Sequence, residues 1–267
     1  MTLALQPQDP KLASNYLKPA HGKLDVTVTG EMLYTPNPGF TGTDTFTFQV
    51  TDGEMRSNVA TASVHIPPAP VLTIVLDAPP AKSLSFRSST GTTFALTNGQ
   101  SKVLTFQPKA DAVVTASVPT GWYLADIACT DNSRATVDLV AGQVRIAVHA
   151  AQRLSCTYQL RQYGSFEGLV YRDRNGNGQY DNPRDTPLVG WSVQLFNMYN
   201  GLLDEKTTDA QGKVRFASVP QGQYKLCEVL KSGWRTSGSG FVSGQSCKLM
   251  NVSGGMQPQV RFGNVTP

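Results

Sequence analysis

The sequence predicts an all-β chain built as a string of β-sandwiches. Three observations carry that expectation. Of 267 residues, 40% are hydrophobic and only 16% charged, with 24 Gly and 17 Pro, a composition that suits strands and turns. Apolar and polar residues alternate in short runs, and no stretch keeps helical periodicity over several turns. Turn signals return at short intervals, as in sandwiches of many short strands.

Taken in order, "DTFTFQV" places Phe46, Phe48 and Val50 on one face and Thr45, Thr47 and Gln49 on the other. "ATASVHI" does the same with Ala62, Val64 and Ile66, and "GWSVQLF" aligns Trp191, Val193 and Leu195. The turn signals are "TPNPGFTG", "TDGE", "LTNGQ", "DAQGK" and "VPQGQ". Two stretches punctuate the chain. "IPPAP", Ile66 to Pro70, is a stiff proline linker that cannot continue a central strand. "RQYGS", Arg161 to Ser165, separates a cysteine-containing strand from a new one. The expected modules are therefore 1–67, 68–162 and 163–267.

The formal net charge of +4 is small and spread out. No Lys/Arg cluster interleaves with aromatics, which argues against nucleic acid as a partner. No apolar run approaches the ~18 residues that span a bilayer. The opening "MTLALQPQDPKL" has neither the basic start nor the apolar core of a signal peptide.

Cys129 and Cys156 fall in the second segment, Cys227 and Cys247 in the third. Their separations are too long for a CxxC metal knuckle. Four cysteines allow three connectivities, of which pairing within each segment is the simplest; four buried free thiols are the alternative. Disulfides would place the chain outside the reducing cytoplasm, and the expected natural start would then lie upstream of Met1.

Each segment resembles a known module. "AHGKLDV", "LYTPNPGFTGTDTFTFQVTDG" and "ATASVHI" resemble the Ig-like, cadherin-like repeats of large bacterial surface proteins. Two earlier strands normally precede this pattern in that family. Their expected absence implies a piece of a longer chain, with an open edge that could borrow a strand from a second copy, and makes this the module expected to be least stable. "FALTNGQ", "VPTGWYLADIACTD" and "LSCTYQL" resemble prealbumin-like modules of secreted bacterial proteins; cysteines at these places are commonly bridged there, which implies Cys129–Cys156. "GLVYRDRNGNGQYD", "PLVGWSVQLF", "TTDAQGKVRF", "VPQGQYKLCEVLKSGW" and "VRFGN" resemble, in order, the B-type repeats of serine–aspartate-repeat adhesins.

That last resemblance frames "DRNGNGQYDNPRD". Calcium takes six to eight oxygen ligands from a loop that wraps it. Asp173, Asn175, Asn177 and Asp181 fall at alternate or near-alternate positions, Gly178 supplies a bend, and the Gln179 carbonyl adds a backbone ligand. The family's closing acid would fall on Arg184. Asp185 follows, and the spacing to Leu188 is one residue longer than usual, so a one-residue insertion carries the acid with it. The expected calcium set is Asp173, Asn175, Asn177, Gln179, Asp181 and Asp185; a solvated Asx-rich turn is the alternative. Some relatives also lock themselves with a Lys–Asn isopeptide bond assisted by a buried acid. Glu228 and Asn264 match the acid and the Asn, but "LVYRDR" offers Tyr171 and Arg172 where the lysine should stand. Arginine stays protonated, so no such crosslink is expected, and a Cys227–Cys247 bridge would serve as the staple.

Catalysis finds little support. His21, His65 and His149 lie far apart, and no HExxH, GxSxG or phosphate loop appears. Trp122, Trp191 and Trp234 are read as core or corner residues before sugar platforms. The expectation is a non-catalytic stalk region of a secreted bacterial surface protein, at the cell surface, which spaces or displays other domains and adjoins neighbouring modules of a longer chain. A glycan- or matrix-binding adhesin, a filament subunit self-associating through the open first module, and an accessory region of a secreted hydrolase are the alternatives.

Overall fold

The computed structural model describes residues 4–5, 13–27, 31–50, 54–237, 241–242, 245–257 and 259–266. Its described residues form strands throughout, apart from one 3-10 turn at Asn132–Arg134. The chain divides into two compact units. One comprises Met1–Thr73, Val103–Ala112 and Ala147–Leu154; the other comprises Ile74–Lys102, Val113–Ile146 and Ser155–Pro267.

The first strands are β1 (Ala4–Leu5), β2 (Ala13–Leu17), β3 (Gly22–Val26), β4 (Met32–Pro36), β5 (Gly42–Val50) and β6 (Ala60–Ile66). They form two three-stranded sheets, β1-β4-β3 and β2-β5-β6. Leu24, Met32, Tyr34, Phe46, Val64 and Ile66 make the core between them. At its edge Asp44, only 3% exposed, accepts from Tyr34 Oη at 2.9 Å, from the His21 N–H at 2.8 Å and from the N–H groups of Ala20 and Thr45. Desolvation pushes its pKa up, but these donors outweigh that and hold it below the usual carboxylate range.

Here the structure differs from the sequence reading. Two strands precede Gly22, and they pair β4 and β5 antiparallel. The Phe46-bearing strand β5 thus has β2 on one side and β6 on the other, so the open edge on which strand borrowing rested is occupied. A two-residue strand and the polar "ASNYL" show too little alternation to be read as strands.

Next come β7 (Val71–Asp77), β8 (Ser83–Ser88), β9 (Thr93–Thr97), β10 (Ser101–Thr105), β11 (Asp111–Ser117), β12 (Trp122–Cys129), β13 (Ala135–Asp138), β14 (Gln143–Ala147) and β15 (Arg153–Gln162). Their sheets run β10-β7-β15-β12 and β13-β14-β11-β8-β9. Burial alternates along β7, β8 and β11, and along β15 up to Arg161, the mark of strands with one face on a core. Within the second unit, Phe86 stacks on Phe94 and meets Tyr158 edge-on, and the Tyr158 hydroxyl donates to the Val114 carbonyl at 2.9 Å.

The last strands are β16 (Gly164–Arg172), β17 (Thr186–Pro187), β18 (Ser192–Asn197), β19 (Leu202–Thr207), β20 (Lys213–Val219), β21 (Gly222–Val229), β22 (Arg235–Thr236), β23 (Phe241–Val242), β24 (Gln245–Val252), β25 (Gly255–Met256) and β26 (Val260–Val265). One sheet runs β17-β16-β26-β22, with β20 and β25 also on β16; the other runs β19-β18-β21-β24-β23. Phe166, Val170, Trp191, Val193, Phe216 and Leu226 lie in the core between them. No sheet among the described residues joins strands from two of the stretches 4–66, 71–162 and 164–265.

Candidate functional site

The acidic loop leaves the end of β16 and returns at β17. Its backbone turns twice through positive φ, at Gly176 (70°) and Gly178 (76°), conformations that glycine adopts at low cost. Between these turns the loop folds around its own side chains. Asp173 is 1% exposed and Asp185 3%. Asp173 accepts the N–H groups of Gly176 and Gly178 through separate oxygens, each at 2.7 Å. Asp185 accepts the Arg174 N–H at 3.0 Å and the Asp181 N–H at 2.7 Å. Asp181 takes the side-chain amides of Asn175 and Asn177 at 2.9 and 2.8 Å, while the oxygens of those amides accept the N–H groups of Asn177 and Gln179.

These hydrogen bonds run through Asp173, Asn175, Asn177, Asp181 and Asp185 and the Gln179 N–H, and the loop turns Asp185 inward while Arg184 stays exposed. Desolvation of Asp173 raises its pKa. The Ser237 hydroxyl, which stands by the carboxylate without regular hydrogen-bond geometry, and the Gly178, Gly176 and Asn177 N–H groups outweigh it, so the acid titrates below its ordinary range. All candidate donors are oxygens, the chemistry a hard cation takes. The side-chain oxygens of Asp173, Asn175, Asn177 and Asp185 accept N–H groups instead, and among the described residues no three His, Cys, Asp or Glu side chains are gathered closely enough to hold a metal.

Nearby, Asn264 and Glu228 meet inside the third sandwich. The Asn264 amide donates to Glu228 Oε2 at 2.7 Å. Burial pushes the Glu228 carboxyl up to about 7, against the opposing pull of Asn264 and Lys248. Tyr171, at the place where the crosslinking lysine would be expected, stands on β16 beside Gly263 of β26.

The cysteines are paired as Cys129–Cys156 and Cys227–Cys247. In both cases the partners sit directly opposite each other on adjacent antiparallel strands, β12 with β15 and β21 with β24. Each bridge therefore ties two strands of one sheet. Trp191 and Trp234 pack edge to face at 5.4 Å and are capped by Lys231 and Arg172, and Lys82 lies over Trp122. None is a bare platform. His21 stacks on Phe40, His65 meets Thr43, and His149 lies on the turn closed by Gln152, so the structure brings no histidines together.

One arrangement was not read from the sequence. A single residue, Tyr163, separates β15 from β16. Its N–H donates to the Gly121 carbonyl at 3.0 Å, and its carbonyl accepts the Gly255 N–H at 3.1 Å. Its ring stacks on Tyr123 with centroids 4.6 Å apart. The Tyr123 hydroxyl accepts the Gln221 N–H at 2.9 Å, and the Gln221 side chain donates to the Gln162 carbonyl at 3.2 Å. Gly164 completes the contact: a Cβ there would stand 2.3 Å from Val252 Cγ1 and 2.5 Å from the Ser253 carbonyl oxygen. The one signal in the sequence is the shortness of "QYG" between two strands.

The fold and these sites define a chain of all-β, disulfide-stapled modules. Residues 3–65 match the family model described as bacterial Ig domain, and residues 164–248 match the SdrD B-like domain. Colossin-A of Dictyostelium discoideum is 48% identical over 60 residues, which is 22% of this chain and rounds to 0% of colossin-A. Among solved structures, the TIE protein of Bacillus anthracis aligns with 100% of this chain and 58% of its own, at 12% identity and TM-score 0.35. A minor pilin of Streptococcus agalactiae aligns over 74% of this chain and 96% of its own, at 14% identity and TM-score 0.34. These two likenesses are too distant to carry function. No helix among the described residues is long and apolar enough to cross a membrane.

Proposed function

We propose that the chain is a non-catalytic spacer region of an extracellular bacterial surface protein, built of modules 1–67, 68–162 and 163–267, which holds neighbouring domains of a longer chain at a set geometry. The observation that supports this most is the Tyr163 junction. A flexible tether has solvated backbone and few contacts. Here both backbone hydrogen-bonding groups of the connecting residue are used, its ring is stacked, and Gln221 bridges to the strand before it. Hydrogen exchange on the full chain tests the reading. The amides of Tyr163 and Gly255 should be protected like those of the flanking strands; exchange as fast as in an open loop would overturn it.

Calcium fits the same reading as a stabiliser of the acidic loop. Asp173, Asn175, Asn177, the Gln179 carbonyl, Asp181 and Asp185 would hold it, and its two positive charges would offset part of the charge of the three aspartates. Turning the Asn175 and Asn177 amides over would leave their oxygens facing the Asp181 carboxylate, which a cation among them makes favourable. The loop lies at the end of β16 opposite Tyr163, about 30 Å away for a nine-residue strand. Its role is thus local to the third module and separate from the junction.

A further inference from the structure

We propose that the third sandwich carries a binding site for a hydroxylated carboxylate, of the class of a uronic acid residue in an acidic polysaccharide. The site is a cleft of about 610 Å³ where the end of β16 meets β22 and β26, within the roughly 300–1,000 Å³ that small-ligand sites occupy. Arg172, Arg174 and Arg235 line it together with the hydroxyl-bearing Thr236, Ser237 and Thr266. Val265 is the one aliphatic side chain of the lining, so an apolar group has little to bury there.

Charge decides the sign of the ligand. Asp173 is the one acid lining the cleft. Its oxygens are taken by the Gly176 and Gly178 N–H groups, and its single negative charge offsets only one of the three guanidinium groups, so the lining stays positive. Arg172 is held in place, donating to the Thr266 hydroxyl at 3.1 Å with its guanidinium carbon 5.8 Å from the Trp234 ring. Arg174 and Arg235 are exposed. Guanidinium groups present paired donors that match a planar carboxylate, and the surrounding hydroxyls match a polyhydroxylated body. Three arginines around one polar cleft therefore select an oxyanion that also carries hydroxyl groups.

This goes beyond the spacer reading and does not depend on it. Amide chemical shifts of the full chain would be followed while titrating glucuronate, with glucose, inorganic sulfate and inorganic phosphate as separate arms. Glucuronate should move the amides of Arg174, Arg235, Thr236 and Thr266. Arg174→Ala and Arg235→Ala should each weaken it by about tenfold, the scale of one lost charge-assisted contact, with the rest of the spectrum unchanged. Raised salt should weaken it further. Glucose matching glucuronate would overturn the role of the arginines. Sulfate or phosphate matching it would overturn the assignment to a carboxylate. Absence of any shift at the cleft would overturn the site.

Discussion

The Asn264 side chain donates to the Glu228 carboxylate at 2.7 Å, with both residues fully buried between the sheets of the third sandwich. Glu228 Oε1 and Asn264 Oδ1 lack partners there. A proton on the carboxyl supplies the donor that this pair of oxygens lacks, which agrees with a pKa raised by burial to about 7.

The sign of the pH dependence follows. A carboxyl whose folded pKa is raised binds its proton more tightly in the folded state. Its contribution is fully present below the unfolded value of 4.5 and is lost as pH rises to about 7. The third sandwich should therefore be more stable at the lower of these pH values than at the higher, by about 3 kcal/mol from this group. Glu228→Gln should flatten the dependence in that window. Urea midpoints across the range check it, and an unchanged slope in Glu228→Gln would assign the dependence to other groups.

Asp44 works in the opposite sense. Its pKa is depressed, so its contribution is present above the unfolded value and is lost as pH falls through the folded one. Asp44→Ala strips partners from the Tyr34 hydroxyl and three N–H groups. It should cost the first sandwich about 3 kcal/mol, read as a lower denaturant midpoint for probes in β5.

The acidic loop separates two charged residues that are neighbours in sequence, turning Asp185 inward and leaving Arg184 exposed. Asp185→Ala removes the acceptor for the Arg174 and Asp181 N–H groups and should destabilise the third sandwich by about 1–3 kcal/mol even without metal. Arg184→Ala should change stability by no more than about 0.5 kcal/mol. Calcium at a hundredfold excess over Kd should add about 2.7 kcal/mol to the parent and nothing to Asp173→Ala. Calorimetry with and without chelator measures both, and parent melting that ignores calcium would leave the loop a hydrogen-bonded turn.

The disulfides close loops with sequence separations of 27 and 20 residues. Replacing either pair by alanines should cost about 3 kcal/mol in the chain-entropy model. Because each bridge ties adjacent strands of one sheet, the loss should appear in that sandwich alone. Non-reducing peptide mapping identifies the pairs, and chemical denaturation reads the cost.

The strong alternation of "DTFTFQV" and "ATASVHI" made β5 and β6 legible, down to the burial of Phe46 and Val64. "GWSVQLF" likewise showed β18 with Trp191 and Val193 inside. β1 and β2 were hidden because strands of two and five residues with polar members carry almost no period. In the loop, residue types and spacing pointed to a polar turn built from Asp and Asn side chains. They did not show that the carboxylates would be filled by backbone N–H groups, since that depends on backbone turns. The junction was illegible for another reason: Tyr123 and Gln221 are 98 residues apart, and no local pattern links them.

Tyr163, with its backbone groups bonded and its ring stacked on Tyr123, is proposed as a fixed joint. Spin labels at Thr93→Cys and Gln211→Cys, both on exposed positions of one compact unit, would measure it by electron–electron dipolar spectroscopy. With native disulfides intact, a fixed joint gives one narrow distance population, unaltered by calcium and broadened by Tyr123→Ala. A broad or multiple distribution in the parent chain would contradict it.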